Sequence, residues 1–157
     1  MPAAAARAGS SMEDLAIMAS AAVIGSLTIP GRPEQVSAAR SFVAKAIGLE
    51  EPATDVAVLL TSETVTNAVL HSNSRRAGGR VTITVVEVGG GVRIEVADEG
   101  SRLSAPVVKG DGCVTGGHGL HLVQTLSDQW GYVREELSTT VWFWLVRDRD
   151  PRLRYLA

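Results

Sequence analysis

Glu63, Asn67 and His71 recur every fourth residue within Thr61–Ser72 (TSETVTNAVLHS). On a helix, residues four apart stack on one face. The stripe they form is flanked by Leu59, Leu60 and Leu70. An acid and an amide beside an apolar face need partners, because each unpaired buried polar group costs about 1–3 kcal/mol. An asparagine oxygen suits Mg2+, a hard cation that keeps waters and phosphate oxygens around itself. A carboxylate one turn earlier could hold or deprotonate a nucleophile that attacks a terminal phosphate. A solvated helix end is the plainer reading of the same residues.

Two further groups have the chemistry to complete such a site. Asp98-Glu99-Gly100-Ser101 follows a stretch with strand alternation. A carboxylate at a strand end can accept a hydrogen bond from an exocyclic amine, and a glycine two residues on lets a flat ring approach the backbone. Adenine donates there, whereas guanine presents a carbonyl, so the wrong base would leave buried polar groups unpaired. Gly116-Gly117-His118-Gly119-Leu120 opens a helix, and free N–H groups at a helix start form an anion cradle. It is neither a Walker A loop nor a dinucleotide fingerprint, since the Lys-Ser/Thr and the third glycine are both missing. Each group alone is also compatible with an ordinary turn.

The elements that must position these groups are legible from pattern. Ser26–Ile29 reads as a strand stopped by Pro30-Gly31. Pro33 opens a helix carrying Val36, Ala39, Phe42, Val43 and Ala46, closed by Gly48. Thr54 and Asp55 read as the N-cap and first-turn acid of the central helix. Val81–Val88 and Val92–Asp98 alternate as a hairpin about Gly89-Gly90-Gly91. In the second strand Val92, Ile94, Val96 and Asp98 share one face by period two. A helix over Gly119–Ser127, a strand near Trp130–Glu135 and a final strand over Thr139–Val146 follow. The order β-α-α-β-β-loop-α-β-β predicts a two-layer α/β sandwich, a mostly antiparallel mixed sheet with helices on one face.

The bulk properties bound the function. A chain of 157 residues, 45% hydrophobic and 20% charged, suits one globular domain. Net charge is −2, and no basic surface suggests nucleic acid. Cys113, the single cysteine, excludes an internal disulfide and suits a reducing compartment. Residues 15–29 are uncharged but follow Glu13 and Asp14 and are too short and Ala/Ser-rich to span a bilayer. The expected location is cytoplasmic, with no membrane partner. The expected organisation is a flexible, partly helical extension over 1–24, a nucleotide-binding domain over 25–147 and a tail over 148–157. His118, His121 and Cys113 are too few for structural zinc.

Taken together and in this order, SETVTNAVLHS, VADEG, GGHGLHLV and TTVWFWL resemble the Bergerat-fold (GHKL) ATPase and kinase superfamily. With PGRPEQVSAARSFV, the chain is most similar to the anti-sigma-factor serine kinases of actinobacteria, from about Leu27 to Leu145. The resemblance implies ATP and Mg2+ as cofactors. It implies Glu63 as general base, Asn67 as metal ligand and Asp98 as adenine contact. Gly100 would line the base pocket, Gly117, Gly119 and Leu120 would meet the phosphates, and Thr140 would support the water network beside Asp98. It also implies serine kinase activity toward a small antagonist protein, a sigma factor as partner, and dimerisation. Two departures stand out: no second D-x-G-x-G glycine follows Gly100, its place lying near Leu103 after Ser101-Arg102, and the short glycine-rich lid loop that runs on to Gly117 is followed by no lysine to reach the terminal phosphate. A module that holds ATP and sequesters a partner without phosphoryl transfer is the other reading. The final strand is apolar on both faces, so one face should lie on the open back of the sheet. A second copy or residues 12–25 would cover it.

Overall fold

The computed structural model describes residues 21–72, 74, 76–100 and 118–147. Strand β1 (Ala22–Pro30) begins four residues before the predicted start. A single 3-10 turn over Pro33–Gln35 leads into helix α1 (Val36–Ile47). Proline is tolerated there because the first N–H groups of a helix lack partners anyway. Ala39, Val43 and Ile47 form the buried face of α1, and Gly48, at φ 114°, ends it.

Helix α2 spans Thr54–His71. Its N-cap is Ala53, so Thr54 does not cap it as expected. The Thr54 hydroxyl instead donates to the Gly48 carbonyl at 2.6 Å, tying the start of α2 to the end of α1. The buried face of α2 contains Val56, Ala57, Leu60, Thr61, Thr64, Val65, Ala68 and Val69. Thr61 and Thr64 bury their hydroxyls at little cost, because these donate back to Ala57 and Leu60 carbonyls at 2.7 and 2.6 Å. Leu59 and Leu70, expected on the apolar face, are 40% and 46% exposed. A helix that is apolar nearly all round leaves the eye no clean stripe to follow.

Strands β2 (Arg80–Val88) and β3 (Gly91–Asp98) form the predicted hairpin. Gly89 and Gly90 both take positive φ, 60° and 74°, as a two-residue type I′ turn requires. Helix α3 (His118–Leu126), β4 (Gln129–Arg134) and β5 (Thr139–Val146) complete the domain. The sheet order is β1-β2-β3-β5-β4, and every neighbouring pair is antiparallel, so the sheet is not mixed. Helix α1 packs on β1 and β2, α2 on β2 and β3, and α3 on α2 and β4.

The core lies between these layers. Ile83 and Val85 from β2, Ile94 and Val96 from β3, and Phe143 and Leu145 from β5 are buried under the helices. Each such side chain contributes about 1.5–3 kcal/mol by leaving water. The opposite face bears Trp142 and Trp144, neither of which stands out as an upright patch. Trp142 lies on Gly131, where an added Cβ would come within 2.9 Å of its ring, and the Arg93 guanidinium stacks 4.2 Å from its centroid. Trp144 lies against Gly91, and its indole N–H donates to the Val88 carbonyl at 2.8 Å. Residues 12–20 of the segment proposed to cover this face lie outside the described residues.

Candidate functional site

The candidate residues lie on α2, at the end of β3 and at the start of α3, and the ends of α2 and β3 are bonded to each other through Ser72, Ser74 and Glu99. Glu63 and Asn67 are half-buried on α2, one turn apart, and His71 closes the helix exposed to solvent. Helix α2 packs against both β3 and α3, so the polar stripe, the end of β3 and the start of α3 belong to the helix side of the sheet.

Asp98 sits at the end of β3, in the alternating series that buries Val92, Ile94 and Val96. Burial pushes its pKa above the ordinary 3.8, and the negative charge of Glu99 adds to the rise. Main-chain hydrogen bonds from Gly100 and Thr139 work the other way and do not cancel it. The Gly100 N–H donates to Asp98 Oδ1 at 2.6 Å. Gly100 itself is buried at φ 74°, and a Cβ there would stand 3.4 Å from the Ser138 nitrogen. The backbone angle calls for glycine, whereas a Cβ would make only ordinary contact. A desolvated acceptor beside a bare stretch of backbone is suited to a flat ring that carries an amine.

Thr140 needs correcting. It pairs with Ala97 across β3 and β5, which puts it in the Trp142 and Trp144 series on the open face. Thr139, 4% exposed, is the residue opposite Asp98. The error is one residue of strand parity, which moves a side chain from one face of a sheet to the other.

Leu120 is 6% exposed in the first turn of α3. Gly119 lies in the same turn. Gly117, Leu103 and Cys113 fall outside the described residues. Among the described residues no group of three His, Cys, Asp or Glu could hold a metal. The donor set here fits a cation that takes one amide oxygen from Asn67 and its other ligands from phosphate and water. No helix among the described residues is long and apolar enough to cross a membrane.

Sequence reasoning missed the polar chain that locks this corner. Beyond α2, the Ser72 hydroxyl donates to the Ala68 carbonyl at 2.5 Å and accepts the Ser74 N–H at 3.0 Å. Ser74 Oγ, fully buried, accepts the Glu99 N–H at 2.9 Å. Glu99 Oε1 in turn accepts the Arg80 N–H at 3.0 Å, reaching the start of β2. The end of α2 is thereby bonded to the residue that follows Asp98. A separate groove of about 460 Å3 lies between α1 and α2, bordered by Arg40, Leu49, Asp55 and Leu59. It shares none of these groups.

Comparison with known proteins bears on the fold and the family. The crystal structure of the RsbU and RsbW domains of Rv1364c from Mycobacterium tuberculosis is similar, with TM-score 0.59 and 19% identity, over 80% of this chain and 33% of that one. The histidine kinase domain of a blue-light activated histidine kinase from Erythrobacter litoralis has TM-score 0.52 and 22% identity, over 80% of this chain and 64% of that one. This chain thus spans a third of the first structure and under two thirds of the second. At these identities the likeness is one of fold. Comparison with curated proteins finds no match. The family model of the histidine kinase-like ATPase domain matches residues 29–145, and the chain belongs to that family.

Proposed function

We propose that this protein is an ATP- and Mg2+-dependent regulator of the anti-sigma-factor type, phosphorylating a serine or threonine of a small antagonist protein. The observation that carries the reading is the pairing of half-buried Glu63 and Asn67 on α2 with a desolvated Asp98 at the strand end to which α2 is bonded. In this reading Asp98 accepts the exocyclic amine of adenine and Gly100 gives the ring room. Asn67 would hold the metal, which offsets the charge of the phosphates. Glu63 would accept the proton of the attacking hydroxyl as its oxygen bonds to the terminal phosphorus and the bond to the bridging oxygen breaks. Gly117, Gly119 and Leu120 would line the phosphate end. Thr139 takes the place beside Asp98 that Thr140 was expected to fill.

The neighbouring structure in which an RsbW domain accompanies an RsbU domain supports a setting of regulatory protein partners. A sigma factor and its antagonist are the partners this reading names, with cytoplasmic location following from them. The test is incubation of the purified protein with Mg-ATP and candidate antagonists. Wild type should transfer phosphate, and Glu63→Ala should reduce transfer by about 100-fold or more while retaining ATP. Transfer by Glu63→Ala at the wild-type rate would end the kinase reading. A second reading, in which ATP is held while a partner is sequestered, is favoured by the missing second glycine of D-x-G-x-G, where Arg102 stands, and by the lack of a lysine after the lid loop. Saturable ATP binding with no transfer to any antagonist would select it.

A further inference from the structure

We infer that Ser74, anchored through Ser72, is the positioning residue that sets how strictly this site reads the amine of its base, an inference that rests on the nucleotide reading above. Ser74 has no reason to be fully buried as part of a polar surface loop. Its hydroxyl accepts the N–H of Glu99, twenty-five residues away in sequence, at 2.9 Å. Its own N–H is held by Ser72 Oγ, which is bonded to the last turn of α2 through Ala68. The return of the loop is equally constrained. Gly79 passes so close to the Ser74 carbonyl that a Cβ would collide with it, and its N–H and carbonyl bond Arg76 and Gly31.

The consequence is directional. Glu99 is the residue between Asp98 and Gly100, so the bond from Ser74 fixes the peptide at which the backbone turns away from β3. Gly100 then presents its N–H to Asp98 Oδ1. A carboxylate oriented by its neighbour's amide discriminates well only if that amide is itself held still. Without Ser74 Oγ, the Glu99 amide would lose its partner in a part-buried place, and the turn would relax toward water. Helix α2, with Asn67 and Glu63, would no longer be registered against the base end of the site.

The experiment compares affinity for ATP and for purine riboside triphosphate, which lacks the exocyclic amine, in wild type, Ser74→Ala, Ser74→Thr and Ser72→Ala. Wild type should prefer ATP. Ser74→Ala should weaken ATP by about tenfold, as expected for one buried hydrogen bond, and bring the ratio of the two affinities toward one. Ser72→Ala should shift the ratio in the same direction by less, and Ser74→Thr, which keeps the accepting oxygen, should restore it. A purely structural role would lower the melting temperature and leave the ratio unchanged, which would overturn the inference. So would failure of Ser74→Thr to restore the ratio while remaining folded. If Ser74→Ala does not fold, the Ser72→Ala ratio decides in its place. Equal affinity of wild type for both ligands would instead overturn the adenine reading itself, and the role of Ser74 with it.

Discussion

Each face of β3 and β5 bears one carboxylate beside aromatic rings, two on the open face and one on the covered face, yet the two faces treat them oppositely. On the open face Glu95 meets Arg93 at 2.9 Å, and Arg93 also covers Trp142. Charge is matched by charge, and rings lie flat on glycines. On the covered face Asp98 is met by main-chain N–H groups and stays desolvated, while Phe143 is fully enclosed by the helices. Strand period alone separates the two treatments: the open face sets its carboxylate against a cation, although Arg93 Nε makes no hydrogen bond there, and the covered face meets its carboxylate with main-chain N–H groups only. A carboxylate offers more acceptor positions than two N–H groups fill, so Asp98 has binding capacity to spare.

The contrast breaks most visibly in stability. Phe143→Ala removes a side chain with no exposure and should cost about 3–5 kcal/mol in urea unfolding. Trp142→Ala, on the open face where the ring is half-exposed, should cost about 1–2 kcal/mol. Equal costs would mean that the open face is covered in solution, by a second copy or by another segment. A concentration-dependent unfolding midpoint for wild type would then identify the second copy.

Next in size is the behaviour of Asp98 with pH. Its pKa in the folded protein stands above 3.8, so the native state binds the proton more tightly than the unfolded chain. Ionised Asp98 therefore costs stability at neutral pH, and that cost is lifted as pH falls through the native pKa toward 3.8. Asp98→Asn should melt at a higher temperature than wild type at pH 7. The margin should shrink on acidification and vanish below 3.8. ATP affinity of wild type should run the other way, falling as the carboxylate takes up its proton. An Asp98→Asn protein less stable than wild type at pH 7 would show that the carboxylate has a charged partner and is not held as an open acceptor.

How much of this could be read from the chain depends on where the signal lay. The hairpin and the bounds of β5 were legible, because Gly89-Gly90 marks the turn and bulky residues run unbroken from Thr139 to Val146. Asp98 could be assigned to the covered face because β3 alternates cleanly with Arg93 and Glu95. Strand β5 is apolar on both faces, so nothing in its pattern says which set the helices cover. Only the register of Asp98 against Thr139 decides it, and Thr140 was misplaced for that reason. Ser72 and Ser74 gave no signal at all. Serines after a helix look like a solvated turn, and the contact that buries them comes from a strand end far along the chain.

The smallest test concerns Arg93. Its guanidinium stacks on Trp142 and its Nε lies 2.9 Å from Glu95, at side-chain exposures of 25% and 32% for the ion pair. Half-exposed pairs contribute little, because solvent screens the charges and two long side chains lose freedom. A stacked cation adds about 0.5–1 kcal/mol. Arg93→Ala should therefore lower stability by less than about 1 kcal/mol. It should change the tryptophan emission, since it uncovers one face of the indole, and leave ATP affinity untouched. That last expectation is the sharp one. The residue lies on β3 within a few positions of Asp98 but on the other face, so an effect on nucleotide binding would mean that the faces are coupled through the strand. Unchanged affinity with altered emission would mean that the sheet keeps its two chemistries apart.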